Sequence, residues 1–241
     1  MSADIAAKAP YIDLGAFAAA AGSSFGKDWR AARVGVPVPE DGPNDGMRID
    51  ALLLAEGHGI ATSDLSEIVL VREGTLSLTA DGVTLRLDAG EAAVVPAGTT
   101  FHWRAANAVR AIVVGAAKPG PDGARLTRID FGAAHEPSAR PNPDLLVGDR
   151  EPACAQHVDF RSADTLFYAG TWSSTPYHRL PMPYGHWEVM LLLEGDVAFG
   201  DADGNEAMAR PGDLVVIPAG SVASWRAIGA SRSGRHRPCV R

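Results

Sequence analysis

A glutamate and a histidine at the start of an apolar run form the pair best suited to chemistry in this sequence. Glu188 opens the run Glu-Val-Met-Leu-Leu-Leu, and His186 lies two residues before it. In an extended strand, residues two apart point to the same face. A carboxylate beside an imidazole can transfer protons near neutral pH. Two alternatives to a catalytic pair remain. In one, Glu188 is instead neutralised by a structural partner, and in the other, His186 is hydrogen-bonded without taking part in catalysis.

The segment just before this pair is rich in side chains that bind small molecules. Within nine residues it contains Trp172, Tyr177, His178 and Arg179. An arginine can hold a carboxylate through two parallel hydrogen bonds, and an aromatic ring can form a pocket wall. We therefore predict that these four residues bind the substrate. The alternative is a polar edge strand with Trp172 in the core.

These residues lie in the second of two copies of one pattern. Aligning Glu67 with Glu188 also aligns the turn residues, which are what a duplicated β scaffold should retain. The aligned pairs are Gly74 and Gly195, Gly82 and Gly204, Gly90 and Gly212, Gly98 and Gly220, and Trp103 and Trp225. Asp-Gly at 81–82 and at 203–204 predicts tight hairpins. Short apolar runs between these turns predict an all-β protein with two barrels.

Composition divides the chain around the two copies. We predict an N-terminal arm at 1–46, a first barrel at 47–117, a proline-rich linker at 118–160 and a second barrel at 161–228. Residues 229–241 form a basic tail with no strand pattern. Three interpretations of this tail remain open. It could bind an acidic partner, it could be disordered, or it could have replaced the last strand of the barrel.

At its repeated motifs the sequence resembles the cupin superfamily. Both copies have a glutamate followed after six residues by glycine, and a glycine followed after five residues by Pro-x-Gly. The wording Leu-Leu-Leu-Glu-Gly is most similar to the branch that includes ureidoglycine aminohydrolase and ethanolamine-utilisation proteins. The resemblance implies two tandem jelly-roll barrels, a bicupin. It covers residues 47–115 and 165–230.

The histidines that bind metal in many cupins are missing from both copies. The resemblance places a His-x-His pair at 60–63 and 181–184, and a third histidine at Phe101 and Ala223, yet none of these residues is histidine. His102 is one residue out of phase, which on a strand points it to the opposite face. A metal needs three or four converging ligands, so we predict no metal site.

Two recurring aromatic positions bear on where a site lies. Trp103 and Trp225 either fill the barrels or, in the case of Trp225, contact the substrate, and Trp225 is kept as a candidate substrate-binding residue. Phe101 makes the interior of the first barrel apolar, so Glu67 is the weaker candidate. The site is therefore predicted in the second barrel.

Bulk properties exclude several functions. A net charge of −7 argues against a nucleic-acid partner, and no run of apolar residues is long enough to span a membrane. The two cysteines, Cys154 and Cys239, are predicted to be free thiols. We expect a cytoplasmic protein that acts on a small-molecule ligand and forms a homodimer.

Three functions fit these observations. The first is a small-molecule-binding bicupin that needs no cofactor. It would act on a nitrogenous or carboxylate metabolite, with Glu188 and His186 as acid and base and Arg179 as the anion anchor. The second is a divalent-metal-dependent hydrolase similar to ureidoglycine aminohydrolase, with Mn²⁺ on His186, Glu188 and His178. The third is a non-catalytic ligand sensor or assembly protein.

Overall fold

In a computed structural model, the regular secondary structure of the described residues is almost entirely β-strand. The structure describes residues 12–16, 21–22, 24–35, 47–115, 124–148, 151–201, 203–228 and 237–240, with only the backbone for 12 and 237–240. The predicted all-β class is confirmed. No helix within these ranges is long and apolar enough to cross a membrane.

The strands are numbered here in chain order. The first eleven are β1 Ile12–Asp13, β2 Arg33–Gly35, β3 Arg48–Leu54, β4 Gly57–Thr62, β5 Glu67–Glu73, β6 Thr75–Ala80, β7 Val83–Asp88, β8 Ala92–Val95, β9 Thr100–Ala105, β10 Val109–Gly115 and β11 Thr127–Arg128. The remainder are β12 Glu136–Pro137, β13 Cys154–Arg161, β14 Tyr168–Ser174, β15 His178–Pro183, β16 Glu188–Leu191, β17 Asp196–Gly200, β18 Glu206–Ala209, β19 Leu214–Ile217, β20 Val222–Ile228 and β21 Arg237–Val240. A 3-10 helix spans Pro143–Leu145.

The first compact unit contains Gly15–Asp130 and Val158–Ala169. Its large sheet has the order β11-β8-β5-β10-β3-β2, and its small sheet has the order β4-β9-β6-β7. Alternate residues of β9 are buried and exposed, as expected for a strand with one face on a core. The core of this barrel includes Val69, Val71, Phe101 and Trp103.

The second compact unit contains the described residues at 12–14, Phe131–His157 and Gly170–Arg241. Its large sheet has the order β1-β19-β16-β21-β14-β13-β12, and its small sheet has the order β15-β20-β17-β18. Met190, Leu192, Phe199 and Trp225 belong to its core. Each unit thus pairs a large sheet with a four-stranded sheet.

The internal repeat appears in the backbone conformation. Gly90 and Gly212 have φ angles of 91° and 93°, and Gly98 and Gly220 have 78° and 85°. At the first hairpin both Asp81 (φ 49°) and Gly82 (φ 77°) are left-handed, as a type I′ turn requires. The conformations agree with the alignment made from sequence.

The structure differs from the predicted boundaries at three places. In the arm, β2 pairs with β3 and so joins the first barrel's large sheet. The predicted linker contains β11, β12 and most of β13, and Phe131–His157 clusters with the second unit. Strands β11 and β12 are only two residues long, too short to give a periodic pattern in the linker sequence.

The basic tail, in whose sequence no strand pattern is visible, contains a strand. Strand β21 pairs with β16, joining Val240 to Val189 and Cys239 to Met190. It lies between β16 and β14, as β10 lies between β5 and β3 in the first unit. Backbone pairing does not require alternating hydrophobic residues, so the sequence pattern missed it.

The first barrel's interior is filled by a tryptophan from the N-terminal arm. Trp29 is almost fully buried and contacts Phe101 edge-to-face, with ring centroids 5.0 Å apart. It also lies 6.5 Å from the ring of Trp103. The arm is therefore part of the hydrophobic core rather than an appendage.

We expect Trp29→Ala to lower the free energy of unfolding by about 3–5 kcal/mol, because a large buried aromatic is replaced by a cavity. Urea unfolding followed by circular dichroism measures this. Val34→Ala in the same segment is the control, since Val34 is exposed and its loss should change stability by less than about 0.5 kcal/mol. Equal effects of the two substitutions would show that the arm does not stabilise the core.

Candidate functional site

In the first barrel, the motif glutamate is bound by an arginine of the arm. Arg33 donates from Nη1 to Glu67 Oε1 at 2.7 Å and from Nη2 to Oε2 at 2.8 Å. Ser63 Oγ donates to Glu67 Oε2 at 2.7 Å, and Arg48 Nη2 lies 3.3 Å from Oε1. Asp50 completes the network by accepting from Arg33 at 3.3 Å and from Arg48 at 2.8 Å.

Sheet register explains how these charges meet. Gly115 of β10 pairs with Glu67 on one side and with Arg48 on the other. A side chain at Gly115 would lie 2.9 Å from Leu65 Cδ1 and 3.6 Å from Glu67 Cγ. Because Gly115 has no side chain, Arg48 can reach Glu67 across the intervening strand.

The network keeps Glu67 ionised. Burial raises the pKa of Glu67, but hydrogen bonds and charge from Arg33, with Ser63 and Arg48, outweigh burial and hold the pKa below its ordinary value. Burial lowers the pKa of Arg33, and Glu67 and Asp50 reverse this and raise it. The first barrel therefore contains a guanidinium beside its motif glutamate.

The second barrel contains a different set of groups beside its motif glutamate. Glu188 shares its face with the core residue Met190, and its side chain is 10% exposed. His186 Nε2 lies 3.9 Å from Glu188 Oε2, and the His186 side chain is 52% exposed. The ring of Tyr184 lies 6.4 Å from the ring of His186. Arg179 Nη2 donates to Tyr184 Oη at 2.6 Å.

These contacts form a continuous series from Arg179 through Tyr184 and His186 to Glu188. The guanidinium carbon of Arg179 also lies 5.2 Å from the Tyr184 ring centroid, a cation–π distance. The series brings together three residues predicted for the site. It can offer a ligand a cation, an imidazole and a carboxylate.

The structure separates His178 from this series. His178 pairs with Arg226, whereas Arg179 pairs with the core residue Trp225. Directly opposed residues share a face, so Arg179 faces the interior and His178 faces outward beside Arg226. Strand alternation thus turns His178 away from Arg179, and the structure does not bring it into the series.

The predicted aromatic residues form a packed cluster. Tyr177 stacks on Trp225 with ring centroids 6.0 Å apart, and Trp172 meets Trp225 edge-to-face at 6.1 Å. Phe199 lies 5.2 Å from Trp225. Trp225 is buried, whereas Tyr177 and Trp172 are partly exposed. This arrangement favours a core role for Trp225 and leaves Tyr177 and Trp172 able to form a wall.

The residues present do not fit the metal centre of the metal-binding cupins. Within the described ranges, no group of three or more His, Cys, Asp or Glu side chains is close enough to hold a metal ion. His178, His186 and Glu188, the metal ligands expected for the hydrolase alternative, do not form such a group. In the first barrel the place beside Glu67 is taken by Arg33. Ser63 and Tyr184 are equivalent residues in the two copies, since the backbone oxygen of each accepts a hydrogen bond from the glycine N–H of its Pro-x-Gly turn. Both lie in the stretches where the resemblance places histidines.

Sequence reasoning missed two kinds of residue. Arg33 and Trp29 lie in an arm that carries no motif, so no local signal pointed to them. Tyr184 lies at 181–184, where the resemblance places histidines, and its hydroxyl accepts a hydrogen bond from Arg179. A phenol at the position of a missing ligand was the available signal.

Comparison with known proteins identifies the class. Residues 161–232 match the family model of the EutQ-like cupin domain. No curated protein sequence matches the chain. Together with solved structures that align over nearly the whole chain, the domain match confirms the predicted cupin-superfamily fold in two tandem copies.

Three solved structures illustrate this likeness. A protein of unknown function of the DUF861 family from Pseudomonas syringae pv. tomato is 24% identical, with a TM-score of 0.75 and coverage of 87% of this chain and 86% of that chain. Salicylate 1,2-dioxygenase from Pseudaminobacter salicylatoxidans is 13% identical, with a TM-score of 0.60 and coverage of 98% and 86%. A putative glyoxylate-induced protein from Pseudomonas aeruginosa is 15% identical, with a TM-score of 0.54 and coverage of 87% and 79%. At these identities the likeness concerns the fold.

The Glu67 network predicts a pH dependence of stability. The folded pKa of Glu67 lies below its unfolded value near 4.5, so its contribution is complete above that value and is lost as the pH falls through the lower folded pKa. We expect the free energy of unfolding to fall as the pH is lowered below about 4.5, the unfolded value. Glu67→Gln should flatten this fall and cost about 3–5 kcal/mol at pH 7, because it leaves Arg33 without its main counter-charge.

Urea unfolding at stepped pH values measures this dependence. Glu73→Gln is the matched control, since Glu73 lies on the same strand with its side chain 69% exposed. An unchanged pH slope in Glu67→Gln would contradict the assignment.

Because no three potential metal ligands converge within the described ranges, we can also predict how the protein responds to added metal ions. We expect elemental analysis of protein purified without added metal to give a metal-to-protein ratio near zero. Added Mn²⁺ should leave the melting temperature unchanged, since only a ligand that binds the folded state raises it. A saturable rise that Glu188→Gln abolishes would contradict this.

Proposed function

We propose that this protein binds a small nitrogenous or carboxylate metabolite in its second barrel without a metal. The observation that carries the proposal is the series Arg179–Tyr184–His186–Glu188, which runs from the buried Glu188 to the half-exposed His186 and on to Arg179. Its two ends carry opposite charge, which suits a ligand with an anionic and an N–H-bearing group.

The difference between the two motif glutamates supports placing the site in the second barrel. Glu67 is held by two parallel hydrogen bonds from a buried arginine. The ion-pair contact described for Glu188 is instead a half-exposed imidazole at 3.9 Å, beyond hydrogen-bonding distance. We propose that an N–H group of the ligand approaches Glu188 on the side of His186, whose side chain is half-exposed.

Each residue has a distinct role in this proposal. Glu188 accepts a hydrogen bond from the ligand's nitrogen, and His186 beside it exchanges a proton near neutral pH. Arg179 anchors a ligand carboxylate, because its Nη2 is fixed by Tyr184 and its planar fork matches carboxylate geometry. Tyr177 and Trp172 form the apolar wall. The chemistry is acid–base and uses no redox step.

The metal-dependent hydrolase is not supported by this geometry. His178 faces away from Glu188 and His186, so two of its three proposed ligands remain. The acid–base pair itself does not depend on a metal. We therefore favour the metal-independent function.

Matched histidine variants test this site. A metabolite library read by thermal shift identifies a ligand, whose Kd is then measured by calorimetry. We expect Glu188→Gln and His186→Asn to weaken this ligand about tenfold or more, since each removes a charged or charge-assisted hydrogen bond. His178→Asn should bind as the native protein does, because His178 lies on the outer face of its sheet.

Binding that is unaffected by Glu188→Gln, or weakened equally by His178→Asn and His186→Asn, would refute the assignment. Arg179→Lys adds a test of the anion anchor. It keeps the charge and loses the bidentate fork, so ligands with a carboxylate should weaken more than their amides.

A further inference from the structure

One edge of the first barrel's small sheet lacks the features that keep most β edges from pairing. The sheet has the order β4-β9-β6-β7, so β4 is an edge strand. Edge strands of natural proteins avoid association by being very short, by carrying proline, charge or a bulge, or by lying under another segment. Strand β4 reads Gly-His-Gly-Ile-Ala-Thr, with six residues and no proline, acid, lysine or arginine. Its edge is therefore suited to pairing with a further strand.

The other edge strands among the described residues each carry at least one protective feature. Strands β1, β11 and β12 are two residues long, and β2 is three residues long. Strand β7 contains Arg86 and Asp88, and the four-residue strand β18 begins with Glu206. Strand β15 contains Pro181 and Pro183 and a register shift. Within the part of the chain that the structure describes, β4 is thus the exception.

The second barrel shows how the same edge can be covered. Strand β15 is the counterpart of β4, since each pairs with the strand that follows its Pro-x-Gly turn. Leu146 forms an antiparallel bridge with Arg179, and the Val147 N–H donates to the His178 carbonyl at 2.9 Å. An extended segment therefore lies along the edge of β15. Among the described residues, no strand or bridge lies on the corresponding edge of β4.

The backbone groups of three residues point to the open edge of β4. Ser63, which follows the strand, donates its N–H at 3.0 Å to the carbonyl of the residue just before β9. Successive residues of an antiparallel strand alternate between bonding to that neighbour and facing away from it. His58, Ile60 and Thr62 therefore face away from β9. Arg30 Nη2 donates to the Thr62 carbonyl at 3.4 Å, which agrees with this direction.

The side chains of β4 are self-complementary about Ile60. Ile60 is 60% exposed, whereas Gly59 lies so close to the Trp103 ring that a Cβ there would be 2.8 Å from it. In a two-fold antiparallel pair centred on Ile60, the two isoleucines are opposite each other, and His58 is opposite Thr62 of the second copy. An apolar side chain then meets an apolar one, and each imidazole meets a hydroxyl-bearing side chain instead of a like charge.

We propose that two copies of this chain associate through β4, with the two strands antiparallel and the two small sheets continuous. Ile60 of each copy exchanges backbone hydrogen bonds with Ile60 of the other, and the burial of both side chains removes apolar area from water. A stable protein–protein interface buries about 1,200–2,000 Å² in total, more than one strand edge supplies. The dimer is therefore weak and depends on protein concentration. It does not rest on the function proposed for the second barrel.

Sedimentation equilibrium of the full chain from about 5 µM to about 500 µM tests the association, a range suited to a small interface. We expect the weight-average mass to rise from 25.2 kDa toward twice that value. Ile60→Lys should weaken dimerisation about tenfold or more, because it places two like charges opposite each other. Leu166→Lys is the matched control, since Leu166 is 63% exposed in the same compact unit and lies outside β4.

Two results would overturn the proposal. One is equal weakening of the dimer by the two lysine substitutions. The other is a mass of 25.2 kDa at every concentration, which would leave the edge of β4 to an extended segment of a different protein.

Cysteine cross-linking tests the register. Ile60→Cys places two thiols opposite each other, where the Cα atoms of a bonded antiparallel pair are about 5.5 Å apart, within the span of a disulfide. Under mild oxidation we expect this variant to form a covalent dimer on a non-reducing gel, and Leu166→Cys and the native protein to remain mostly monomeric. Circular dichroism checks that each variant is folded, as expected for changes at exposed positions. A yield of cross-linked dimer in Ile60→Cys no higher than in Leu166→Cys would contradict the proposed pairing.

Discussion

The requirement that a buried carboxylate find a cation shapes this protein more than any other single constraint. Glu67 begins a strand whose inner face is otherwise apolar, where an unpaired charge would cost several kcal/mol. The protein meets that cost with Arg33, supplied by the N-terminal arm. The same arm places Trp29 in the core beside Arg33, with the guanidinium carbon 5.6 Å from the ring centroid. Charge compensation and core packing are thus provided by one short segment.

The motif glutamates of the two barrels have different neighbours. The first uses a salt-bridge network that fixes Glu67 in its ionised form. The second sets Glu188 beside a half-exposed histidine and places Arg179 against Tyr184, two residues before that histidine. The same motif residue thus lies in a salt-bridge network in one barrel and beside a half-exposed imidazole in the other.

The fold could be predicted from sequence because its signals are local. Turn glycines, Pro-x-Gly and alternating apolar residues each depend on neighbours along the chain, and they repeat. The opposite direction of His102 followed from strand periodicity, and His102 is exposed on β9. The partners of Glu67 could not be predicted, because Arg33 is distant in sequence and lies in a segment without a motif. Proximity in sequence places His178 beside Arg179 but does not predict which face each occupies, and the two lie on opposite faces of β15.

The position of β21 has a consequence for the order of folding. The second barrel's large sheet includes both β1 and β21, and β21 lies between β16 and β14 rather than at an edge. Pairings between residues so distant in sequence are slow to form, since the chain must close a long loop first. The first barrel's sheets, apart from β11, are complete once Gly115 has been synthesised. During translation the first barrel can therefore assemble while the second still has a gap within its sheet.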